Sequence, residues 1–186
     1  SIFRGQLDRA YFPVQMEDMQ ARLEFNYIED QPIRIGDIEI SWEHTFHPGF
    51  TVGYKMTVDG RQLVFIPDNE FLKGYMGEPL GSIEGADAET YGQLIEFCRG
   101  ADVLIHEAQY THDEYPIKVG WGHTSVPNAC TLAKVSEVEK WIVTHHDPSH
   151  EDDFLQSKLN LTRQILHEIG CSAEVQHGYD GMVGYL

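Results

Sequence analysis

Five residues that could bind a metal ion or transfer a proton stand at points where the sequence suggests that strands end. Asp68 follows LVFIP, Glu107 follows DVLIH, and His145 follows KWIVT. His47 comes shortly after an apolar-rich strand pattern, and His123 lies in the glycine-rich segment GWGHTS. A strand that ends in such a residue delivers it to the edge of the sheet, where α/β proteins collect their ligands.

Neutral imidazoles and ionised carboxylates that converge from rigid elements are the usual ligands of a divalent metal ion. We therefore predict that His47, Asp68 and His145 bind metal. The two oxygens of Asp68 could bridge a pair of ions, and paired ions activate water and stabilise both the attacking and the leaving oxygen. The alternative is purely structural: Asp68 caps a turn, His47 belongs to a His-Pro-Gly turn, and His145 packs at a strand end.

The elements that must position these residues change character along the chain. A short helix is predicted over MEDMQARL, and strands with alternating apolar residues are predicted to follow it. They are placed at 23–27, 33–35, 38–40, 51–58 and 62–66. Asp59-Gly60, between the last two strands, predicts a type I′ hairpin turn.

Beyond residue 70 the pattern alternates between helix and strand. A loop is predicted over 71–85, helices over 87–98, 127–135 and 151–169, and short apolar strands over 103–105 and 141–143. The chain is thus expected to be an α/β protein of one domain, residues 1–186, with helices on at least one face of the sheet.

The charge balance is strongly acidic. Thirty Asp and Glu face 13 Lys and Arg, which gives a net charge of −17. Such a surface repels nucleic acids and anionic membranes at long range, so neither is expected as a partner. The three cysteines form no CxxC pair and no apolar run is long enough to cross a membrane, which favours a cytoplasmic setting.

The motifs VFIPDNE, ADVLIHEAQYTHDEY, GWGHTS and VTHHDP, in this order, resemble the second half of a metallo-β-lactamase-fold hydrolase, and the phosphodiesterase-like branch is the nearest. His47 precedes Asp68 by 21 residues, and His123 precedes His145 by 22, which also fits that family. The resemblance implies an αββα fold.

The resemblance also implies a role for each residue. His47 would bind a first ion, Asp68 would bridge two, and His145 would bind the second. His123 would be the acid that protonates the leaving oxygen, and Glu107 would hold the tautomer of a nearby histidine. These roles make Asp68, His123 and Glu107 the expected catalytic residues. Zinc or manganese is favoured as the metal, and iron or nickel also suits such ligands.

The family's His-x-His-x-Asp-His motif is absent from the sequence. The N-terminal portion of the fold is therefore expected to be missing. Since a catalytic zinc normally has three protein ligands, His47, Asp68 and His145 cannot hold two ions alone. An N-terminal segment or a second chain, in a homo-oligomer for instance, is expected to complete the site.

These observations predict a metal-dependent hydrolase that cleaves a small or cyclic phosphodiester with metal-activated water. One alternative is an acidic binding or regulatory module with a degenerate site. The other is a hydrolase of a different class on the same fold, acting on a thioester, lactone or lactam.

Of the neighbours His145 and His146, the spacing favours His145 as the one that faces the site, and His44 is expected to be an exposed strand residue.

Overall fold

A mixed sheet of seven strands organises the part of the chain that the computed structural model describes, residues 5–25, 32–81 and 86–186. Neighbouring strands in the sheet follow one another in sequence, from β1 at one edge to β7 at the other. The strands are β1 (Ile33–Ile35), β2 (Ile38–His44), β3 (Val52–Val58), β4 (Arg61–Ile66), β5 (Val103–Glu107), β6 (Lys140–Thr144) and β7 (Glu174–His177).

The first four strands are antiparallel. Two-residue turns join β1 to β2 and β3 to β4, and a longer loop, residues 45–51, joins β2 to β3. The predicted hairpin between β3 and β4 is confirmed, since Asp59 and Gly60 both have positive φ angles, 50° and 78°, as a type I′ turn requires. The backbone twist of this turn matches that of the strands, so the register between β3 and β4 is fixed locally.

Strands β4 to β7 are parallel, and helices connect them. The helices are α1 (Ala86–Cys98), α2 (Val126–Val135) and α3 (Asp152–Glu168), close to their predicted bounds. Ser125 caps the start of α2 by accepting a hydrogen bond from the Asn128 amide. The hydrophobic core contains residues of β4, β5 and β6 together with residues of all three helices, and Trp141 on β6 is fully buried in it.

Another apolar surface of the sheet borders a cavity of about 870 Å³. Leu63, Ile105 and Ile142 of the central strands line it, and so does the C-terminal segment 178–186. These three side chains are only partly buried, in contrast to the core residues of the same strands. The sheet therefore has apolar residues beyond those that its helices bury.

The N-terminal expectations are wrong where the structure describes them. MEDMQARL contains only a 3₁₀ turn, Met16–Asp18, and no strand begins at Leu23 or Phe25; Tyr27 lies outside the described residues. Met19, Leu23 and Phe25 are exposed, so this segment buries too little apolar surface to stabilise a short helix.

Strand β7 was not expected from the sequence. Its residues, EVQH, include a single apolar side chain, Val175, which is buried. The parallel pairing with β6 supplies the backbone hydrogen bonds, so an edge strand forms here without a run of apolar residues. Among the described residues, the helices are all too short or too polar to cross a membrane.

Replacing Trp141 tests the core. Trp141 has no exposed surface, and its indole nitrogen donates to the His106 carbonyl at 3.1 Å. We expect Trp141→Ala to lower the free energy of unfolding by about 3–5 kcal/mol. Trp121→Ala is the matched control, because Trp121 is 58% exposed; it should change stability by less than about 0.5 kcal/mol. Urea denaturation measures both, and equal losses would contradict this description of the core.

Candidate metal centre

The five predicted site residues lie at one end of the strands, four of them in connecting segments and one at the end of a strand. His47 is in the loop between β2 and β3, Asp68 follows β4, and Glu107 is the last residue of β5. His123 precedes α2, and His145 follows β6. Since β4, β5 and β6 are parallel, their carboxyl ends lie on the same side of the sheet. Residues that are distant in sequence therefore come together there.

Three of these side chains form a group that could hold a metal ion. The available ligand atoms of His47, Asp68 and His123 all lie within 4.8 Å of one another. His145 adjoins this group, with its Nε2 atom 3.3 Å from Oδ1 of Asp68 and its ring centroid 4.9 Å from that of His123. Imidazoles and a carboxylate at this spacing fit a divalent ion such as zinc.

Glu107 pairs with His123. The carboxylate is fully buried, and its Oε1 lies 2.8 Å from the Nδ1 of His123. Because a carboxylate only accepts hydrogen bonds, the proton sits on Nδ1, and Nε2 is left for the group formed with His47 and Asp68. Glu107 was expected to orient a nearby histidine, and this is the contact that such a role requires.

The environment of the Glu107–His123 pair also changes the proton affinity of both side chains. Burial opposes protonation of His123, but the hydrogen bond to Glu107 and the negative charges of Glu107, Asp68 and Glu70 together outweigh it and raise the pKa of the imidazole. Burial likewise raises the pKa of the Glu107 carboxyl, against the opposing effect of hydrogen bonds from His123 and two backbone amides. The imidazole of His123 is therefore protonated more readily than a free imidazole.

Asn69 ties the loops of the site together. Its backbone amide donates to Oε1 of Glu107 at 2.9 Å, and its side-chain oxygen accepts from the amide of Phe46 at 3.0 Å. The side-chain nitrogen lies 3.0 Å from Nε2 of the buried His106. One buried asparagine therefore holds the residue before His47 and the carboxylate behind His123.

Glu70 holds the loop that contains His123. Its buried carboxylate accepts from the amides of Gly120 and Gly122, at 2.7 and 3.1 Å, and from the hydroxyl of Tyr115 at 2.9 Å. Neither Asn69 nor Glu70 was predicted as a site residue. The signal was the run Asp68-Asn69-Glu70 directly after a buried strand, where polar side chains need partners.

Lys158, a residue of α3, supports the segment that follows Glu107. This buried lysine donates to the carbonyls of Ala108 and Gln109 at 3.1 and 3.2 Å, and burial lowers its pKa to about 8. The Gln109 side chain in turn donates to the carbonyl of His145 at 3.3 Å. The ring of the neighbouring His146 packs against His177, with the two ring centroids 4.4 Å apart.

Comparison with solved structures identifies the fold, although no family model matches the chain. The metallo-β-lactamase fold protein YhfI from Bacillus subtilis covers 84% of this chain with a TM-score of 0.62 and 20% identity, and the match takes 52% of that protein. The metallo hydrolase Igni18 from Ignicoccus hospitalis covers 85% with a TM-score of 0.53 and 15% identity, over 58% of its chain. The chain has the metallo-β-lactamase fold.

Sequence relatives indicate which branch of metallo-β-lactamase-fold proteins the chain resembles. Ribonuclease Z from Brevibacillus brevis is 32% identical over 95 residues, which are 48% of this chain and 30% of that protein. Ribonuclease Z from Listeria innocua is 33% identical over 98 residues, 50% of this chain and 32% of the relative. The chain thus spans about a third of the length of these relatives. The resemblance to the phosphodiesterase-like branch is confirmed.

The expectation of a small-molecule partner and no nucleic acid is wrong. The relatives are ribonucleases by name, so proteins similar to this chain act on RNA. The expectation rested on the net charge of −17, which describes the whole chain and the approach of a polyanion at long range. Net charge does not describe the particular side chains that a ligand would meet at one site.

Gly122→Ala tests how closely the loop packs on the site. Gly122 has a φ angle of +96°, and a Cβ atom there would lie 2.3 Å from Cδ2 of His47. Displacing His47 should weaken zinc binding, measured by calorimetric titration, by about 10–100-fold. Gly120→Ala is the control: its φ angle is +87°, so it carries similar backbone strain, but the nearest atom belongs to Lys73 at 3.7 Å. Equal losses in both variants would show that the strain, not the contact with His47, is responsible.

His106 should make the fold sensitive to acid. This histidine is fully buried beside Asn69, and burial lowers its pKa from 6.5 to about 4. Between these two pH values the unfolded chain binds a proton that the folded chain excludes. The free energy of unfolding is therefore highest above about pH 6.5 and falls as the pH drops toward 4. The loss is up to about 3 kcal/mol. His106→Gln should flatten this dependence in denaturation curves at pH 7 and pH 5, and an unchanged slope would contradict it.

Proposed function

We propose that this chain is part of a metal-dependent phosphodiesterase that cleaves RNA. The observation that carries the proposal is the convergence of His47, Asp68 and His145 around His123. The Nδ1 atom of His123 is hydrogen-bonded to the buried Glu107. Metal ligands beside an oriented imidazole are the parts that hydrolysis of a phosphodiester needs. The similarity to proteins named ribonuclease Z supports the choice of RNA.

His47 and His145 would be ligands of two different ions, with Asp68 between them as the bridging carboxylate. The contact between Asp68 and His145 and the compact group of His47 and Asp68 support this arrangement. Zinc or manganese ions would activate water and stabilise charge on the phosphate. Two ions need more donors than these residues supply, and we propose that a further segment or a second chain provides them.

His123 would protonate the oxygen that leaves phosphorus. Its Nδ1 proton is committed to Glu107, so Nε2 is the atom that faces the cluster and can carry the transferred proton. Glu107 fixes the tautomer and stabilises the imidazolium before the transfer, because its carboxylate stays beside the ring. Asn69 and Thr124 keep the carboxylate in place through their amides.

The exposure of the cluster suits a polymeric substrate. The side chains of Asp68 and His145 are 34% and 43% exposed, whereas His123 behind them is 13% exposed. A phosphodiester within a chain can therefore approach the ligands from solvent while the proton donor stays shielded.

Substitutions of single residues test the proposal in the full-length, metal-loaded protein. We expect Asp68→Ala to abolish cleavage of an RNA oligonucleotide and of bis(p-nitrophenyl) phosphate. His123→Ala should lower kcat by about 10²–10⁴-fold while the metal content stays unchanged. Glu107→Gln should lower kcat as well, because a glutamine cannot stabilise the imidazolium as a carboxylate does.

His44→Ala is the matched control. His44 lies three residues before His47, but it is exposed and its ring packs edge-on against Trp42 and Phe50. Its turnover should equal that of the wild type. Full activity of Asp68→Ala or His123→Ala would refute the proposed roles. Metal binding without cleavage of any phosphodiester would favour the binding-module alternative.

A further inference from the structure

Trp121 is presented to solvent beside the candidate metal centre. It is 58% exposed and stands two residues before His123. Tryptophan seldom leaves so much of its surface in water. The loop is nevertheless anchored, because the amides of Gly120 and Gly122 on either side donate to the buried carboxylate of Glu70. Trp121 is therefore exposed because the anchored backbone holds it in that position.

A row of side chains connects Trp121 with the site. The Lys118 ammonium lies 4.1 Å from the centre of the Trp121 ring and 5.5 Å from that of Tyr110. The Tyr110 ring is in turn 6.2 Å from the ring of His123. Trp121 therefore stands at the rim of the metal centre, with a cation between it and the interior.

We propose that Trp121 is a stacking platform for a base of single-stranded RNA next to the scissile phosphate, and that Lys118 contacts an adjoining phosphate. The inference rests on the proposed function, since it names how the substrate of that site is held. An aromatic side chain on a rigid backbone next to a cation is the combination that single-stranded nucleic acids use for binding. Lys118 covers one face of the indole, and the base would take the other.

The charge of the protein favours this mode of recognition. With a net charge of −17, this chain repels a polyanion at long range. Asp147 also interacts with Lys118, which reduces the attraction that this one cation can exert. Stacking acts at contact and does not depend on net charge, and each base on an aromatic ring strengthens binding by about tenfold or more.

The test measures RNA binding without cleavage. The full-length protein is treated with a chelator, and fluorescence anisotropy follows a labelled short oligoadenylate and a ribose-phosphate chain of equal length without bases. The oligoadenylate should bind the wild type about tenfold more tightly than the chain without bases, and quench tryptophan emission. Trp121→Ala should remove this preference and the quenching, and Trp121→Phe should restore most of the preference. Lys118→Met should reduce the slope of log affinity against log salt by about one.

Tyr11→Ala serves as the control, because Tyr11 is an exposed aromatic residue outside this row. It should bind both ligands as the wild type does. Equal affinity of Trp121→Ala and wild type for the oligoadenylate, equal binding of the two ligands by the wild type, or no binding at all would overturn the inference. Failure of the proposed function is distinguishable, since the metal-loaded wild type would then leave RNA intact even where the base-dependent binding is present.

Discussion

The candidate site depends on two buried carboxylates whose hydrogen bonds are satisfied by loop backbone. Glu107 accepts from the amides of Asn69 and Thr124 as well as from His123, and Glu70 accepts from two glycine amides and a tyrosine hydroxyl. Leaving either carboxylate unpaired in the interior would be costly, so the loops that carry the amides are held where they satisfy them. Those loops carry the side chains that we propose bind metal and transfer a proton.

This arrangement explains how residues far apart in sequence meet with defined geometry. The strands determine where Asp68, Glu107 and His145 leave the sheet, but the strands alone do not orient side chains. Asn69 joins the loop before His47 to Glu107, and Lys158 joins α3 to the loop after Glu107. The network lies behind the cluster, so the exposed face of the site is left for ligands.

The sequence predicted the central sheet and the positions of the site residues because each depends on local signals. The Asp59-Gly60 turn, the apolar runs of β5 and β6, and the polar residue at each strand end can all be read without tertiary information. Strand β7 could not be predicted, because its single apolar residue is explained only by pairing with β6. Asn69 and Glu70 were missed for a similar reason: their partners lie between 23 and 55 residues away. The inference from net charge failed because an average over the surface carries no information about one site.

The central claim is that His47, Asp68 and His145 hold metal ions in front of His123. The measurement that tests it most directly is the metal content of the purified full-length protein, determined by inductively coupled plasma mass spectrometry without added metal. The account predicts two ions of zinc or manganese per chain. A protein that is folded, carries no metal and takes none up when zinc or manganese is supplied would contradict it.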